Sequence, residues 1–254
     1  MKALITGASS GIGKEMAYYL ANKGIDLILV ARSIDKLEEI KKNVKVSVKT
    51  IKLDLLEEKN LYRLYELTKD DNIDILINNA GFGLFGLFWE TNLDRELEMI
   101  NLNVKALHIL TKLFLSDFIK RDSGYILNVC SSAGFMAGPR LNTYYATKNY
   151  ATKLTMAINE ELRQIKSHVS ISALCPGPVE TNFNKVANGE FTMKGVNASY
   201  VAKYAIDKMF KRKMIIIPTL GMKIALFFMR FLPYRMQLKM VYKIQYNKEK
   251  NLSS

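Results

Sequence analysis

Short apolar runs rich in branched residues alternate along the chain with longer amphipathic stretches, the pattern of a parallel sheet covered on both faces by helices. Strands are predicted over residues 2–6, 25–31, 46–53, 73–77, 124–130, 169–174 and 213–217. Between them the periodicity predicts helices over 11–23, 34–43, 57–69, 92–121, 143–167 and 198–211. Seven strands with intervening helices read as an α/β fold, a single doubly wound sheet whose ligand crevice lies at the carboxyl ends of the strands. The stretch 219–247 falls beyond the last strand and outside this alternation. The chain therefore divides into a doubly wound domain, 1–218, and a helical C-terminal extension, 219–254.

Composition supports that division. A chain of 254 residues fits one α/β domain, and 49% apolar residues suffice for a large core, which excludes a disordered chain. No charged segment leading into an apolar one precedes the first strand, Ala3-Leu4-Ile5, so a cytoplasmic location is expected. Two cysteines, Cys130 and Cys175, argue for a reducing compartment. They end neighbouring strands and are expected to be buried thiols that approach each other. Two histidines, His108 and His168, supply no zinc ligand set; the first reads as structural and the second as exposed.

The net charge of +13 is uneven, because residues 211–254 hold ten Lys/Arg against one acid, Glu249. In the extension Ile224 to Met229 is unbroken apolar, Pro233 interrupts, and Arg235, Lys239 and Lys243 then recur four apart. Six apolar residues fall far short of the roughly 20 needed to cross a bilayer. Two readings remain for 219–247: a basic amphipathic surface on an anionic membrane, or packing on its own domain or a partner subunit. A nucleic-acid partner is rejected, since no groove-reading motif is present.

The first strand runs into Thr6-Gly7-Ala8-Ser9-Ser10-Gly11-Ile12-Gly13, and a helical pattern follows at once. Glycines there permit a tight turn, close approach of a pyrophosphate and close helix–strand packing; the helix N-terminus then faces the phosphates. This is the dinucleotide turn of a Rossmann domain, with Gly7, Ser9, Ser10, Gly11, Ile12 and Gly13 as cofactor-binding candidates. The second strand ends at Arg32-Ser33, with no acid from Val30 to Ser33 to hold a ribose 2′-hydroxyl. Arg32 can pair with a 2′-phosphate and Ser33 can add a hydrogen bond, which selects NADP(H) over NAD. Asp54, closing the third strand, is placed to accept from an adenine amino group or to cap the next helix.

Further segments bring in a resemblance. Asn78-Asn79-Ala80-Gly81, Asn103, Ser131-Ser132, Tyr144-Tyr145-Ala146-Thr147-Lys148 and Pro176-Gly177-Pro178-Val179-Glu180-Thr181 follow the glycine loop in order. Together they resemble the short-chain dehydrogenase/reductase family over residues 1–217. Tyrosine and lysine four apart share a helix face, and the Lys148 ammonium favours a phenolate at Tyr144. Tyr144 then acts as general acid or base at a carbonyl or alcohol oxygen. The resemblance implies that Lys148 holds the nicotinamide ribose, that Ser132 binds the substrate oxygen with Ser131 as fallback, and that Asn103 bends its helix and holds a water. It also implies that Asn79, Ala80 and Gly81 line the adenine-ribose side. Pro176, Gly177, Val179 and Thr181 would surround the nicotinamide. Tyr145 is excluded as the acid, because Asn149 and not a lysine stands four residues on.

In the variable loops 133–143 and 182–199, Phe135, Met136, Leu141, Phe183, Phe191 and Met193 predict an apolar pocket, with Ser132, Phe135, Tyr144 and Phe183 meeting the substrate. The second loop, with Gly189 and Gly195, reads as a lid over that pocket. Phe82, Phe85, Phe88 and Trp89 read as a packing cluster that can lend one pocket wall. The expected activity is NADP(H)-dependent interconversion of a lipophilic ketone and a secondary alcohol, in a homodimer or homotetramer joined by the helices 92–121 and 143–167. The rivals are a non-catalytic NADP-binding sensor or membrane scaffold, and epimerase or dehydratase chemistry on a nucleotide sugar, for which the C-terminal region leaves little room.

Overall fold

The structure, a computed structural model, describes residues 1–181, 183, 187 and 195–250, the last four by backbone alone. Phe191, Met193, Lys185, Glu190 and Gly189 of the second variable loop lie outside the described residues. The strands are β1 (Lys2–Thr6), β2 (Asp26–Ala31), β3 (Val48–Lys52), β4 (Ile75–Asn78), β5 (Gly124–Val129) and β6 (Val169–Leu174). A separate parallel ribbon of β7 (Val179–Glu180) and β8 (Val196–Asn197) follows, then β9 (Ile215–Ile216). The main sheet has seven parallel strands in the order β3-β2-β1-β4-β5-β6-β9.

Period-two alternation sends successive strand residues to opposite layers. Ala3 and Ile5 of β1, with Leu27, Leu29, Ile75 and Ile77, meet Met16 and Leu20 of α1 (Gly11–Asn22). The same layer takes Ile206 and Met209 of α7 (Ala198–Phe210). Leu4, Ile28, Leu76 and Ile126 face the other way, onto Leu61 and Leu64 of α3 (Glu58–Thr68). Phe114 and Phe118 of α5 (Leu107–Lys120) and Leu162 of α6 (Asn142–Gln164) complete that second layer. The short α2 (Ile34–Lys42) covers the β2 edge through Leu37 and Ile40.

The order of winding reverses between the parallel neighbours β1 and β4, and there Thr6 works as a splice. Its hydroxyl donates to Ile77 O and accepts from the Asn79 and Ala80 backbone amides at 3.0 and 3.1 Å. The crevice at this switch point is where a ligand binds in sheets of this type.

The helix expected over 92–121 is not continuous. α4 (Leu93–Ile100) passes through a π-helical turn, Asn101–Ala106, before α5 begins. Asn103 explains the widening: its side chain leaves the helix to bond Phe82 and Thr147 on two other segments. The 3₁₀ turn Ser132–Phe135 after β5 was not predicted, being shorter than periodicity resolves.

Beyond β9 the extension forms two helices, α8 (Leu220–Met229) and α9 (Tyr234–Lys250), broken at Pro233 as its missing N–H requires. No helix among the described residues is long and apolar enough to cross a membrane. Leu226 and Val241 are buried on the domain, the Gln245 amide donates to Tyr145 Oη at 2.8 Å, and the Arg140 guanidinium lies over the Tyr246 ring.

A buried polar network ties this core together. Asn78 donates to Asn128 Oδ1 at 2.9 Å and to Thr111 Oγ1 at 3.0 Å, and Asn128 donates to Thr155 Oγ1 at 2.9 Å. It joins β4 and β5 to the helices on their outer face. Asn128→Ala removes the buried bonds that join Asn78, Thr111 and Thr155 through it and should lower unfolding free energy by about 2–4 kcal/mol. A urea titration checks this, and an unchanged midpoint would show the network to be redundant.

Candidate active site

The turn after β1 carries glycine where no room exists for a side chain. A Cβ on Gly13 would lie 2.4 Å from Asn79 Nδ2 and 2.6 Å from Gly7 O. Gly7 itself sits at φ +64°, a backbone conformation that L side chains resist. Asn79 braces this turn, donating from Nδ2 to Thr6 O and Gly7 O at 3.0 Å each. α1 then opens with no side-chain cap and no acid in its first turn, so its leading N–H groups and positive end meet no competing carboxylate.

These groups border a cavity of about 720 Å³. Gly7, Ser9, Ser10, Gly11, Ile12, Arg32, Asp54, Asn79, Ala80 and Gly81 line one part of it. Pro176, Gly177, Val179 and Thr181 line another, with Thr181 Cγ2 only 3.2 Å from where a Gly11 Cβ would stand. Two expected cofactor residues do not line it. Gly13 serves the packing against Asn79, and Ser33 is taken up as the residue preceding α2. Asp54 does line the cavity, and its Oδ1 accepts from the Leu56 amide rather than capping α3, whose cap is Glu57. A side-chain-free cradle, an uncapped helix N-terminus and a guanidinium at the β2 end together fit a dinucleotide phosphate.

α6 carries Tyr144 and Lys148 on one face, with the Lys148 Nζ 5.8 Å from the Tyr144 ring centre. The ammonium is buried and donates to Val129 O at 2.8 Å, which anchors it at the end of β5. Burial pushes its pKa below the usual lysine range, opposed by the neighbouring Cys130 and Cys175 thiols. Burial likewise holds the Tyr144 phenol above the ordinary tyrosine range, while a hydrogen bond from the Ser131 side chain pulls the other way.

Of the two candidate serines, Ser131, the fallback, is the one whose side chain acts on the Tyr144 phenol. Ser131 is extended and caps the 3₁₀ turn, its Oγ accepting from Ala133 N. Ser132 is the first residue of that turn, and its amide donates to Pro176 O at 2.8 Å. Both serines border the cavity, but the turn aims only the first at Tyr144.

Asn103 stands behind the cavity rather than in its wall. Its Oδ1 accepts from Phe82 N, and its Nδ2 donates to Phe82 O and Thr147 Oγ1. Thr147 in turn donates to Tyr144 O at 2.7 Å. The side chain is thus spent on protein partners that fix the start of α6.

The apolar wall contains Met136, Leu141 and Phe183, whose ring centre is 5.3 Å from that of Tyr144. Phe135 is absent from it. As the last residue of the 3₁₀ turn, it packs beside Cys130, Ala151 and Cys175, under the Lys153 ammonium. The expected aromatic cluster also disperses: Phe82 is buried in the wall beneath Arg95, whereas Phe88 and Trp89 are exposed. Cys130 and Cys175 do approach each other, as unbridged, buried, hydrogen-bonded thiols. His108 pairs with Tyr150 Oη, and His168 is exposed beside Asp122.

The sequence reading missed the contribution of the extension to this site. Met222, Leu226, Met229, Leu232, Met240, Val241, Ile244 and Gln245 all line the cavity. Their signal was available, since 222, 226 and 229 and then 240, 241, 244 and 245 fall on single helix faces. Gln245 is a buried amide whose Oε1 has no hydrogen-bond partner, a polar point in an otherwise apolar wall.

The comparisons agree with this geometry. A family described as short chain dehydrogenase matches residues 1–190. The NADP-dependent 3-hydroxy acid dehydrogenase of Schizosaccharomyces pombe is 37% identical over 191 residues, 72% of this chain and 73% of that protein. Dehydrogenase/reductase SDR family member 11 of Bos taurus is 32% identical over 192 residues, 71% of this chain and 75% of that protein. A short-chain dehydrogenase from Sphingobium yanoikuyae, solved in complex with NADPH, superposes with a TM-score of 0.82 at 30% identity, covering 90% of this chain and 93% of that one.

Gly13→Ala should weaken nicotinamide dinucleotide binding about tenfold or more, because Asn79 or the Gly7 carbonyl must move. Fluorescence titration with NADPH checks this, with circular dichroism confirming the fold; undiminished affinity would remove the tight cradle from the binding account.

Proposed function

The chain belongs to the short-chain dehydrogenase family, and from that premise we propose that it interconverts a lipophilic ketone and a secondary alcohol using NADP(H). The carrying observation is the meeting of Tyr144, Lys148 and Ser131 in the wall of a cavity that also holds the glycine cradle. The nicotinamide supplies or accepts the hydride when bound.

The protein residues manage the proton and the charge. In reduction Tyr144 gives its phenolic proton to the carbonyl oxygen, and its raised pKa keeps that proton in place at neutral pH. Lys148, held on Val129 O, favours the phenolate as the proton leaves and offers its remaining N–H groups to the ribose. Ser131 donates to the same substrate oxygen and stabilises charge developing there. Asn103 is a positioning residue, acting through Thr147 on the backbone at Tyr144.

Arg32 in the cavity wall, with no acid between Val30 and Ser33, supports a 2′-phosphate on the cofactor. The yeast relative is named for NADP dependence and the Sphingobium structure holds NADPH, which favours the same choice. The apolar wall built from Phe183, Leu226, Met229 and Val241 supports a lipophilic substrate. The free thiols of Cys130 and Cys175 favour a reducing, cytoplasmic location for the enzyme. Its self-association as a homodimer or homotetramer runs through α4 to α6, where Leu97, Ile100 and Tyr150 are exposed.

Tyr144→Phe should abolish NADPH oxidation across a panel of ketones graded by chain length while NADPH binding persists; residual turnover near the parent rate would overturn the assigned acid. In the same assay Ser131→Ala should lower kcat about 100-fold or more, and Ser132→Ala by only a few-fold. The reverse order would restore Ser132. Arg32→Asp should move the NADPH-to-NADH ratio of kcat/KM about tenfold or more toward NADH, and a constant ratio would remove Arg32 from cofactor choice.

A further inference from the structure

We propose that the outer face of α8 and α9 seats in the surface of an anionic lipid bilayer, carrying the cavity wall to the lipid. The docking surface is independent of the reaction proposed above; only the inference that substrate enters from lipid rests on that reading.

α8 is apolar on both sides. Met222, Leu226 and Met229 face the cavity, and the domain satisfies them. Leu220, Ile224, Phe227 and Phe231 form a second stripe, and they are 70%, 49%, 53% and 71% exposed. A helix serving only its own domain presents polar residues there. The rings of Phe227 and Phe231 stand edge to face at 5.3 Å, an assembled apolar knob in solvent. Contiguous exposed apolar surface with a polar rim marks a contact site.

The rim identifies the partner. Lys223 and Arg230 flank the stripe along the chain, Arg235, Lys239 and Lys243 recur four apart on α9, and all five are exposed. No aspartate or glutamate occurs between Asp207 and Glu249. A second copy would bring like charges face to face, whereas an anionic headgroup layer complements them and its interior accepts the phenylalanines. Because neither helix can cross a bilayer, the pair lies in the plane of the interface. The same helices therefore hold lipid on one side and the substrate cavity on the other, and an apolar carbonyl compound can pass between them without crossing water.

The test is flotation of the full chain with phosphatidylcholine vesicles, with and without phosphatidylglycerol. Binding should require phosphatidylglycerol and weaken with added salt. The pair Phe227→Ser and Phe231→Ser lies off the cavity and should reduce bound protein about tenfold or more, with NADPH binding intact. The triple change Arg235→Gln, Lys239→Gln and Lys243→Gln should remove the preference for phosphatidylglycerol. Should the serine pair fail to fold, hydrogen exchange of the unaltered chain decides: vesicles must protect residues 220–246. The proposal is overturned if the full chain ignores phosphatidylglycerol vesicles at low salt, or if protection falls only elsewhere. It is equally overturned if the serine pair leaves flotation unchanged, or if it dissociates an oligomer in sedimentation while the parent never floats. Flotation needs no turnover, so its failure and a failure of the reduction assay are separate results.

Discussion

A lysine ammonium buried at the seam between β5 and α6 is the constraint to which the rest of the site conforms. A charge removed from water is tolerated only when its hydrogen bonds and its surroundings are arranged for it. Lys148 meets this with one main-chain acceptor, Val129 O, which exists at that point only because β5 ends there. Its depressed pKa records the remaining cost of burial. The two N–H groups not spent on Val129 are the ones a ribose can use, and the nearby phenol is the one an ammonium can help to ionise. Burial raises the Tyr144 pKa, and the Ser131 side chain pulls it the other way.

Placing that ammonium requires α6 to start in one position, and the polar groups behind the cavity set it. The π turn at Asn101–Ala106 lets Asn103 reach both Phe82 and Thr147, and Thr147 holds the carbonyl of Tyr144. Below it, Asn78, Thr111, Asn128 and Thr155 pin two strands to two helices in a layer that is otherwise aliphatic. Buried networks of this kind, once satisfied, select a single arrangement. On the other side of the switch point, Thr6 and Asn79 do the same for the glycine turn. The two halves of the site are therefore positioned by side chains of which only Asn79 also lines the cavity.

This explains what the sequence made legible. The strands and their covering helices followed from apolar periodicity, because the sheet buries both faces. Tyr144 and Lys148 followed from the family resemblance, with the spacing of four placing them on one helix face, and the glycine turn from its place between β1 and α1. The choice between Ser131 and Ser132 did not, since it depends on where an extended residue yields to a 3₁₀ turn, a difference of one position that periodicity cannot resolve. Ser33 and Phe135 carried plausible chemistry, yet one is used to begin α2 and the other to pack beside Cys130 and Cys175. Composition told of a basic extension; it could not tell that half of that extension faces inward.

The extension then bears directly on what the pocket can accept. Walls contributed by α8 and α9 replace solvent with Leu226, Met229 and Val241 in front of a partly buried Tyr144. Excluding water there strengthens every electrostatic contact to the substrate oxygen. It also means that polar parts of a substrate lying against this wall would lose their hydration without compensation except at Gln245, whereas apolar parts gain there. Helices that shield the chemistry in this way must themselves be held down, and here only one face of each is. Leu220, Ile224, Phe227 and Phe231 remain as apolar surface that the domain does not cover. An apolar cavity wall and an apolar outer stripe on the same ten-residue helix place the least-hydrated path into the site along that helix, not through open water.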